Sequence, residues 1–437
     1  MPMEHAPVAP TASKAGGPVA EARHFTVMAK PVGSLCNLTC SYCYYQKSGN
    51  AGTNPGLYKM TDEVLECYIR RYMEAAPGPE INFVWHGGEP TLAGLAFYRL
   101  AVEIQKRYLP EGWTCWNNLQ TNGVLLDDAW CAFLAAEHFD VGLSIDGAPW
   151  VHDQYRKDHQ GRGTYQAAAG AARRLLSHGV RPDLLCTVTS SAAAEPLEVY
   201  RALRNLDTGW IQFIPIVRRG AEGGAAPDSV AGAGYGDFLC AVFDEWAHHD
   251  LGRLDVQLFA ETARALAGGS SGLCWMAPEC GRVLIVERDG GVYSCDHYVS
   301  PRYRIGDIHD TGLAELAGSP AQIRFGENKR GSLPGQCLSC PCLPLCNGGC
   351  PKDRFSHTEN GEPYLNYLCG GLQRFFTHAR PTLEWIIQQT GMGRAPETMM
   401  ADLREQSRAM WKGVGRNGPC PCGSGKKAKN CCWDKRP

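Results

Sequence analysis

Cys36, Cys40 and Cys43 lie in the run Leu35-Cys36-Asn37-Leu38-Thr39-Cys40-Ser41-Tyr42-Cys43-Tyr44-Tyr45, spaced C-x3-C-x2-C. Three thiolates this close can wrap one small inorganic core. A cubane iron–sulfur cluster normally takes four cysteines, so three local ligands leave one iron open for another molecule. Three cysteines with a distant fourth ligand could instead hold zinc, and the triplet alone does not choose. The chain has 21 cysteines in 437 residues. Without the continuous apolar h-region of a secretory signal, that number argues for metal sites in a reducing cytoplasm rather than a disulfide scaffold.

Fifteen of the cysteines fall into three groups. Cys67, Cys115, Cys131, Cys186, Cys240 and Cys342 are left over and read as plain thiols. The formal net charge of −2 argues against a nucleic-acid binder. No apolar run reaches the roughly 18 residues of a membrane span. Residues 1–23, rich in Ala, Pro and Gly, read as a flexible extension.

From about residue 24 to 250, β-rich runs alternate with amphipathic stretches. Strands are predicted at Phe25–Lys30, Ile81–Trp85, Thr114–Gln120, Val141–Ile145, Leu184–Thr189 and Trp210–Pro215. Helices are predicted at Asp62–Glu74, Ala93–Tyr108, Asp127–Glu137, Tyr165–His178, Glu195–Leu206 and Gly236–His248, with Thr61 and Asp127 as N-terminal caps. Six β-then-α units predict an α/β fold with a parallel sheet, closed or partly closed as in a barrel. Chemistry in such folds sits on loops at the C-terminal ends of strands, and the triplet follows the first strand. The second such loop is His86-Gly87-Gly88-Glu89-Pro90, the third holds Gln120-Thr121-Asn122-Gly123, and the fourth Ser144-Ile145-Asp146-Gly147 followed by His152 to Arg156. Residues 218–234, rich in Gly and Ala, read as a mobile loop.

A second cysteine region contains Cys274, Cys280, a predicted hairpin (Gly281–Val286 and Val292–Cys295), the run Cys337-x2-Cys340-x5-Cys346-x3-Cys350, and Cys369. Eight cysteines suffice for two four-thiolate clusters or two zinc sites. Helices are predicted at Gln373–Gln388 and Pro396–Met410. The tail then places Cys420, Cys422, Cys431 and Cys432 within 13 residues, a spacing by which zinc can fold a short peptide. From Trp411 onward seven Lys/Arg face one Asp, so the tail is basic and suited to an acidic partner.

The triplet with an aromatic before Cys43, and the Gly-Gly-Glu-Pro loop after strand two, resemble the radical S-adenosylmethionine (SAM) enzymes. The second cysteine region resembles the SPASM extension of radical SAM maturases, and the tail the SEC-C zinc motif found on the preprotein-translocase ATPase. These resemblances imply a partial (β/α)6 barrel at 24–250, a SPASM domain at 251–392, a helix and linker at 393–416, and a zinc motif at 417–437. They further imply three [4Fe-4S] clusters, SAM and Zn2+. Cys36, Cys40 and Cys43 would hold the SAM cluster. Cys274, Cys280, Cys295 and Cys350 would hold one auxiliary cluster, and Cys337, Cys340, Cys346 and Cys369 the other. Gly87, Gly88, Glu89, Ser144, Asp146 and Arg156 would contact SAM.

Within the SPASM proteins, residues 24–380 resemble the anaerobic sulfatase-maturating enzymes, which oxidise Cys or Ser in a sulfatase polypeptide to Cα-formylglycine. That resemblance implies that Tyr45 and His86 line the substrate site. It makes Asp296, directly after Cys295, the general base, provided its pKa is near the working pH. It also implies a flavodoxin- or ferredoxin-type electron donor, and the SEC-C tail suggests contact with export or translation machinery. Two other readings stand beside it: a SPASM enzyme that crosslinks a ribosomal peptide, and a zinc-rich adaptor without catalysis.

Overall fold

The computed structural model describes residues 25–47, 57–220, 224–421 and 426–430. The N-terminal extension and zinc-motif residues Cys422, Cys431 and Cys432 lie outside these. One sheet organises the rest. Its parallel strands β1 (Thr26–Lys30), β2 (Glu80–Trp85), β3 (Thr114–Thr121), β4 (Phe139–Ser144), β5 (Asp183–Val188) and β6 (Trp210–Pro215) stand in chain order. This is the predicted (β/α)6 arrangement, within a residue or two at most strand ends. The sheet stays open and extends beyond both sides of the six. The short β7 (Asp255–Val256) adds to β6, and β8 (Val283–Glu287) runs parallel to β1. β9 (Gly291–Tyr293) and β10 (Arg304–Asp307) follow antiparallel. The second cysteine region is therefore not a detached unit: its strand β8 shares a ladder with β1.

Helices cover one face of the sheet. Thr61 caps the Asp62–Ala75 helix through Val64 N, and Asp127 caps the Asp128–Ala136 helix through Trp130 N at 2.9 Å, as the sequence predicts. Alternate β2 residues Ile81, Phe83 and Trp85 are buried under these helices, with Trp85 and Phe83 packed among Tyr68, Tyr72 and Tyr98. The other face is more polar, with Asn118 bonded to Asn82 at 2.6 Å and Gln120 to Ser144 at 3.2 Å. Because side chains alternate along a strand, Val27 and Ala29 of β1 enter the core while Met28 and Lys30 point to this second face. The 23-residue helix Cys369–Gly391 packs along Gly232–His249, closing the SPASM segment against the barrel.

The loop read as 218–234 ends earlier than expected, where a helix begins at Gly232. Its described parts are pinned by Arg218 N to Ser229 Oγ at 3.0 Å and Val230 N to Ile216 O at 2.9 Å. Among the described residues, no helix is long and apolar enough to cross a membrane.

Candidate active site

The strand-end loops interlock. Gly88 N donates to Gly33 O at 2.7 Å and Glu89 N to Leu35 O at 2.8 Å, so the Gly-Gly loop lies flat against the cysteine loop. A Cβ on Gly88 would fall 2.0 Å from the Leu35 carbonyl oxygen, and only glycine permits that approach. Glu89, 1% exposed, accepts from Thr91 N, Thr91 Oγ1, Thr121 Oγ1 and Asn122 N at 2.6–3.1 Å. Its carboxylate thus ties the second loop to the third. Asn122 in turn reaches Asn37 Oδ1 at 2.8 Å, beside Cys36.

Asp146 and Arg156 depart from the separate contacts expected of them. Asp146, 1% exposed, accepts from Arg156 Nε and Nη2 at 2.8 and 3.1 Å, from Thr187 N at 2.9 Å and from the Tyr42 hydroxyl. A carboxylate offers about four acceptor positions, and all four are taken within the protein. The physical reason is charge: a buried carboxylate finds its cation on the next turn of chain. Through Tyr42, this pair buttresses the cysteine loop. Ser144 Oγ accepts from Gln120 Nε2 on the polar face.

On the polar face of β1 stands a second network. Lys30 is fully buried, and its ammonium donates to Asp296 Oδ1, lies 3.2 Å from His86 Nδ1 and sits 4.5 Å from the centroid of the Tyr45 ring. The Tyr44 hydroxyl donates to Asp296 Oδ2, and the Tyr45 hydroxyl to Glu287 Oε1. Burial alone would raise the Asp296 carboxyl, but Lys30, His86 and His297 hold it well below the usual carboxylate range. The expectation of a resting pKa near working pH is therefore not met. His86 Nδ1 accepts from Gly87 N at 2.7 Å as well as facing Lys30; burial first and Lys30 next lower its pKa to about 4.

Tyr45 also departs from expectation. It is 4% exposed, closed over by Ile285, Tyr293 and Val299 with its hydroxyl on Glu287. Tyr44 instead presents a half-open ring beside His297, 4.8 Å between centroids, and touches Asp296. Both tyrosines sit on the short helical turn Tyr44–Lys47, where successive side chains point about 100° apart. Lys30, Tyr44 and Glu287 were missed from sequence. The one available signal was Lys30 itself, a charge at the end of a strand destined for burial.

The cysteines suit iron–sulfur clusters. Burial pushes the Cys36, Cys346 and Cys350 thiols up to about 12, so their thiolates need a bound cationic centre at neutral pH. Leu38 N–H turns to Cys36 Sγ and Gln46 N–H to Cys43 Sγ, both at 3.4 Å, the kind of bond that supports a charged ligand sulfur. Cys295 lies within electrostatic reach of Cys350 and Cys274, and Cys280 of Cys274. Separately, Cys346 reaches Cys369, Cys337 and Cys340. These neighbours are compatible with the two sets that the resemblance implies. The second set lines a cavity of about 240 Å³, which Cys342 also borders. Among the described residues, no three His, Cys, Asp or Glu side chains are grouped closely enough for a single metal ion. Asn37 Nδ2 in the cysteine loop and Thr187 Oγ1 on β5 are buried without a partner among the described residues. Cys420 is buried in the tail, with its N–H on Lys426 O at 2.8 Å.

Comparison with known proteins agrees with this geometry. Residues 31–191 match the radical SAM superfamily, 274–341 the SPASM iron–sulfur cluster-binding domain and 416–434 the SEC-C motif. The chain is 40% identical over 401 residues to the serine-type anaerobic sulfatase-maturating enzyme of Bacteroides thetaiotaomicron, covering 88% of this chain and 97% of the relative. It is 34% identical over 364 residues to the cysteine-type enzyme of Clostridium perfringens, covering 82% and 97%. The solved structure of native anSMEcpe with bound AdoMet and Cp18Cys peptide superposes with a TM-score of 0.76 at 33% identity, covering 84% of this chain and 99% of that one. Streptococcus suis SuiB bound to precursor peptide SuiA, at 13% identity and TM-score 0.56 over 80% and 76% of the two chains, shares the fold alone. The chain belongs to the anaerobic sulfatase-maturating enzymes of the radical SAM superfamily.

Proposed function

We propose that the cleft between the cysteine loop and Asp296 oxidises a serine side chain of a sulfatase polypeptide to Cα-formylglycine, the Cys-or-Ser conversion of this family. The observation that carries the assignment is the Lys30–Asp296 pair, set beside the Cys36–Cys43 loop and directly after Cys295. The higher identity to the serine-type relative supports serine as the target. In this reading Cys36, Cys40 and Cys43 hold the SAM cluster, Cys274, Cys280, Cys295 and Cys350 the first auxiliary cluster, and Cys337, Cys340, Cys346 and Cys369 the second.

When bound, SAM and its cluster would supply the one-electron chemistry that removes a Cβ hydrogen from the serine, and the auxiliary clusters held by the eight cysteines would take the one remaining electron. The chain's residues govern the remaining proton. Asp296 Oδ2, now accepting from Tyr44, is the oxygen a substrate hydroxyl takes over when it enters. Lys30 fixes the other oxygen and keeps the carboxylate ionised until that proton arrives. His86 Nδ1 accepts from Gly87 N and faces Lys30, so the ring's own proton sits on Nε2, where it can donate to substrate. Glu89, Asp146 and Arg156 hold the loops around SAM. Gly87 and Gly88 let backbone approach it.

The test is anaerobic incubation with SAM, a reductant and paired peptides carrying S-x-P-x-R or C-x-P-x-R. Formylglycine formation removes about 2 Da from serine and about 18 Da from cysteine. Turnover of the serine peptide is the expected result. Turnover of the cysteine peptide alone overturns the serine assignment, and deoxyadenosine without any peptide change overturns the substrate class.

The same reading gives the tail a zinc ion on Cys420, Cys422, Cys431 and Cys432, and a role in docking to an acidic export or translation partner; a flavodoxin- or ferredoxin-type protein supplies the electron. Deleting residues 417–437 should leave peptide turnover intact and lower sulfatase activation in cells. Unchanged activation and unchanged co-purifying partners would remove the docking role.

A further inference from the structure

Between Cys346 and Cys350 the chain passes through Asn347, Gly348 and Gly349 at φ 45°, 72° and 65°, three consecutive residues in the left-handed region. A Cβ on Gly348 would fall 2.5 Å from Arg354 Nη2, and one on Gly349 2.4 Å from Asn366 Nδ2, so the Gly-Gly pair is required. The winding turns three carbonyls onto one side chain. Arg354 donates from Nε to Gly348 O at 2.9 Å, and from Nη2 to Asn347 O at 2.9 Å and Gly349 O at 3.3 Å. Its Nη1 donates to Lys329 O at 2.5 Å and Ser332 Oγ at 3.3 Å.

Arg354 is 2% exposed and meets no carboxylate in any ion pair among the described residues. Lys329, equally buried, donates to the carbonyls of Cys274 at 3.0 Å, Trp275 at 2.8 Å and Ala277. Two buried cations satisfied only by neutral groups are costly, by several kcal/mol each in typical proteins. The negative charge they face comes from cysteines. Arg354 lies within electrostatic reach of Cys337, Cys280, Cys346 and Cys350, and Lys329 of Cys280, Cys274 and Cys350.

We propose that Arg354 is the positioning residue shared by both auxiliary clusters: its guanidinium winds the Cys346–Cys350 loop so that one end serves each cluster, and its buried charge raises both reduction potentials. Lys329 acts likewise on the first auxiliary cluster alone. This rests on the ligand assignment proposed above. A cluster held by four thiolates is negatively charged and becomes more so on reduction, so a fixed cation in a poorly screened interior favours the reduced form. Each cluster takes up one electron, and no proton is required. In an oxidation that must pass one electron from substrate into this region, the cations make acceptance easier.

The test uses the full chain, purified and reconstituted without oxygen, with iron analysis and a redox titration followed by electron paramagnetic resonance. Arg354→Gln, which keeps two amide donors for the carbonyls, should shift both auxiliary midpoints to more negative potential. Lys329→Met should shift the first alone. Should Arg354→Gln lose iron, Arg354→Lys decides: its displaced charge should still move both midpoints in the same direction, by less. Midpoints unmoved in the Arg354 variants that retain iron, or moved at one cluster only, overturn the proposal. Wild-type protein without two auxiliary clusters' worth of iron would overturn the ligand assignment instead, a result separate from any effect of Arg354.

Discussion

Lys30 and Asp296, 266 positions apart in the chain, meet as an ion pair in which the lysine is wholly buried and the aspartate only partly so. β1 delivers the first and the segment after β9 the second, and β8 brings them together by pairing with β1 in the register Lys30↔Glu287. The segment matched at 274–341 thus shares one buried network with β1.

Lys30→Met removes the partner that fixes Asp296 Oδ1. Formylglycine turnover should fall by about two orders of magnitude or more, the usual contribution of a positioned acid–base group. Deoxyadenosine should continue to form, so the ratio of deoxyadenosine to product rises. Uncompensated Asp296 also costs stability, on the order of 3 kcal/mol, so Lys30→Arg, which keeps the charge, serves as the folded control. Turnover of Lys30→Met within a few-fold of wild type would remove Lys30 from the mechanism.

Tyr44 and Tyr45 should separate cleanly. Tyr44→Phe frees Asp296 Oδ2 for the substrate hydroxyl without disturbing buried packing, so thermal stability should hold while the KM for the peptide falls about tenfold. Tyr45→Phe strands Glu287, whose Oε2 already has no partner among the described residues, and should cost about 1–3 kcal/mol in chemical denaturation. The reverse pattern would restore Tyr45 as the substrate-facing residue.

Gly88→Ala forces a methyl group onto the Leu35 carbonyl. The cysteine loop must move, and we expect more than a tenfold loss of SAM affinity, with bleaching of the iron–sulfur absorbance of that cluster while the auxiliary clusters persist. Gly312→Ala, at an ordinary φ where a Cβ meets nothing within 4 Å, controls for the loss of a glycine as such. Equal SAM affinity in the two variants would mean that the close approach is dispensable.

The sequence carries the six strands plainly because the apolar periods of strand and helix differ, and the loops at strand ends inherit their place from that order. It also carries the local cysteine spacings, C-x3-C-x2-C at 36–43 and C-x2-C-x5-C-x3-C at 337–350, but not how the eight later cysteines pair. What it does not carry is pairing across distance. Nothing in Asp146 or Arg156 announces that they neutralise each other rather than a ligand, and nothing in Lys30 points to a carboxylate on the far side of the chain. Which of two adjacent tyrosines faces the substrate depends on the rotation of one short helical turn. Arg354 is legible only once the loop wound around it is seen.

Two buried histidines set the acid limit. His152 Nδ1 accepts from Asp146 N at 3.2 Å, so its one ring proton is on Nε2, given to Thr164 Oγ1 at 3.1 Å, whose hydroxyl goes on to Arg156 O. A second proton would set N–H against N–H. Burial lowers its pKa from 6.5 to about 4, and His86 behaves alike. In that window the unfolded chain binds more protons than the folded one, so the stability is fully present above pH 6.5 and is lost as pH falls toward 4, on the order of 3 kcal/mol for each residue. His152→Asn can keep the acceptor for Asp146 N with its Oδ1, gives up the bond to Thr164, and cannot be charged. In urea denaturation of the holoenzyme, wild type should therefore lose more stability than this variant between about pH 7 and pH 5, while acid loss of the clusters affects both equally. Parallel pH profiles for the two proteins would show that His152 is not the group that titrates.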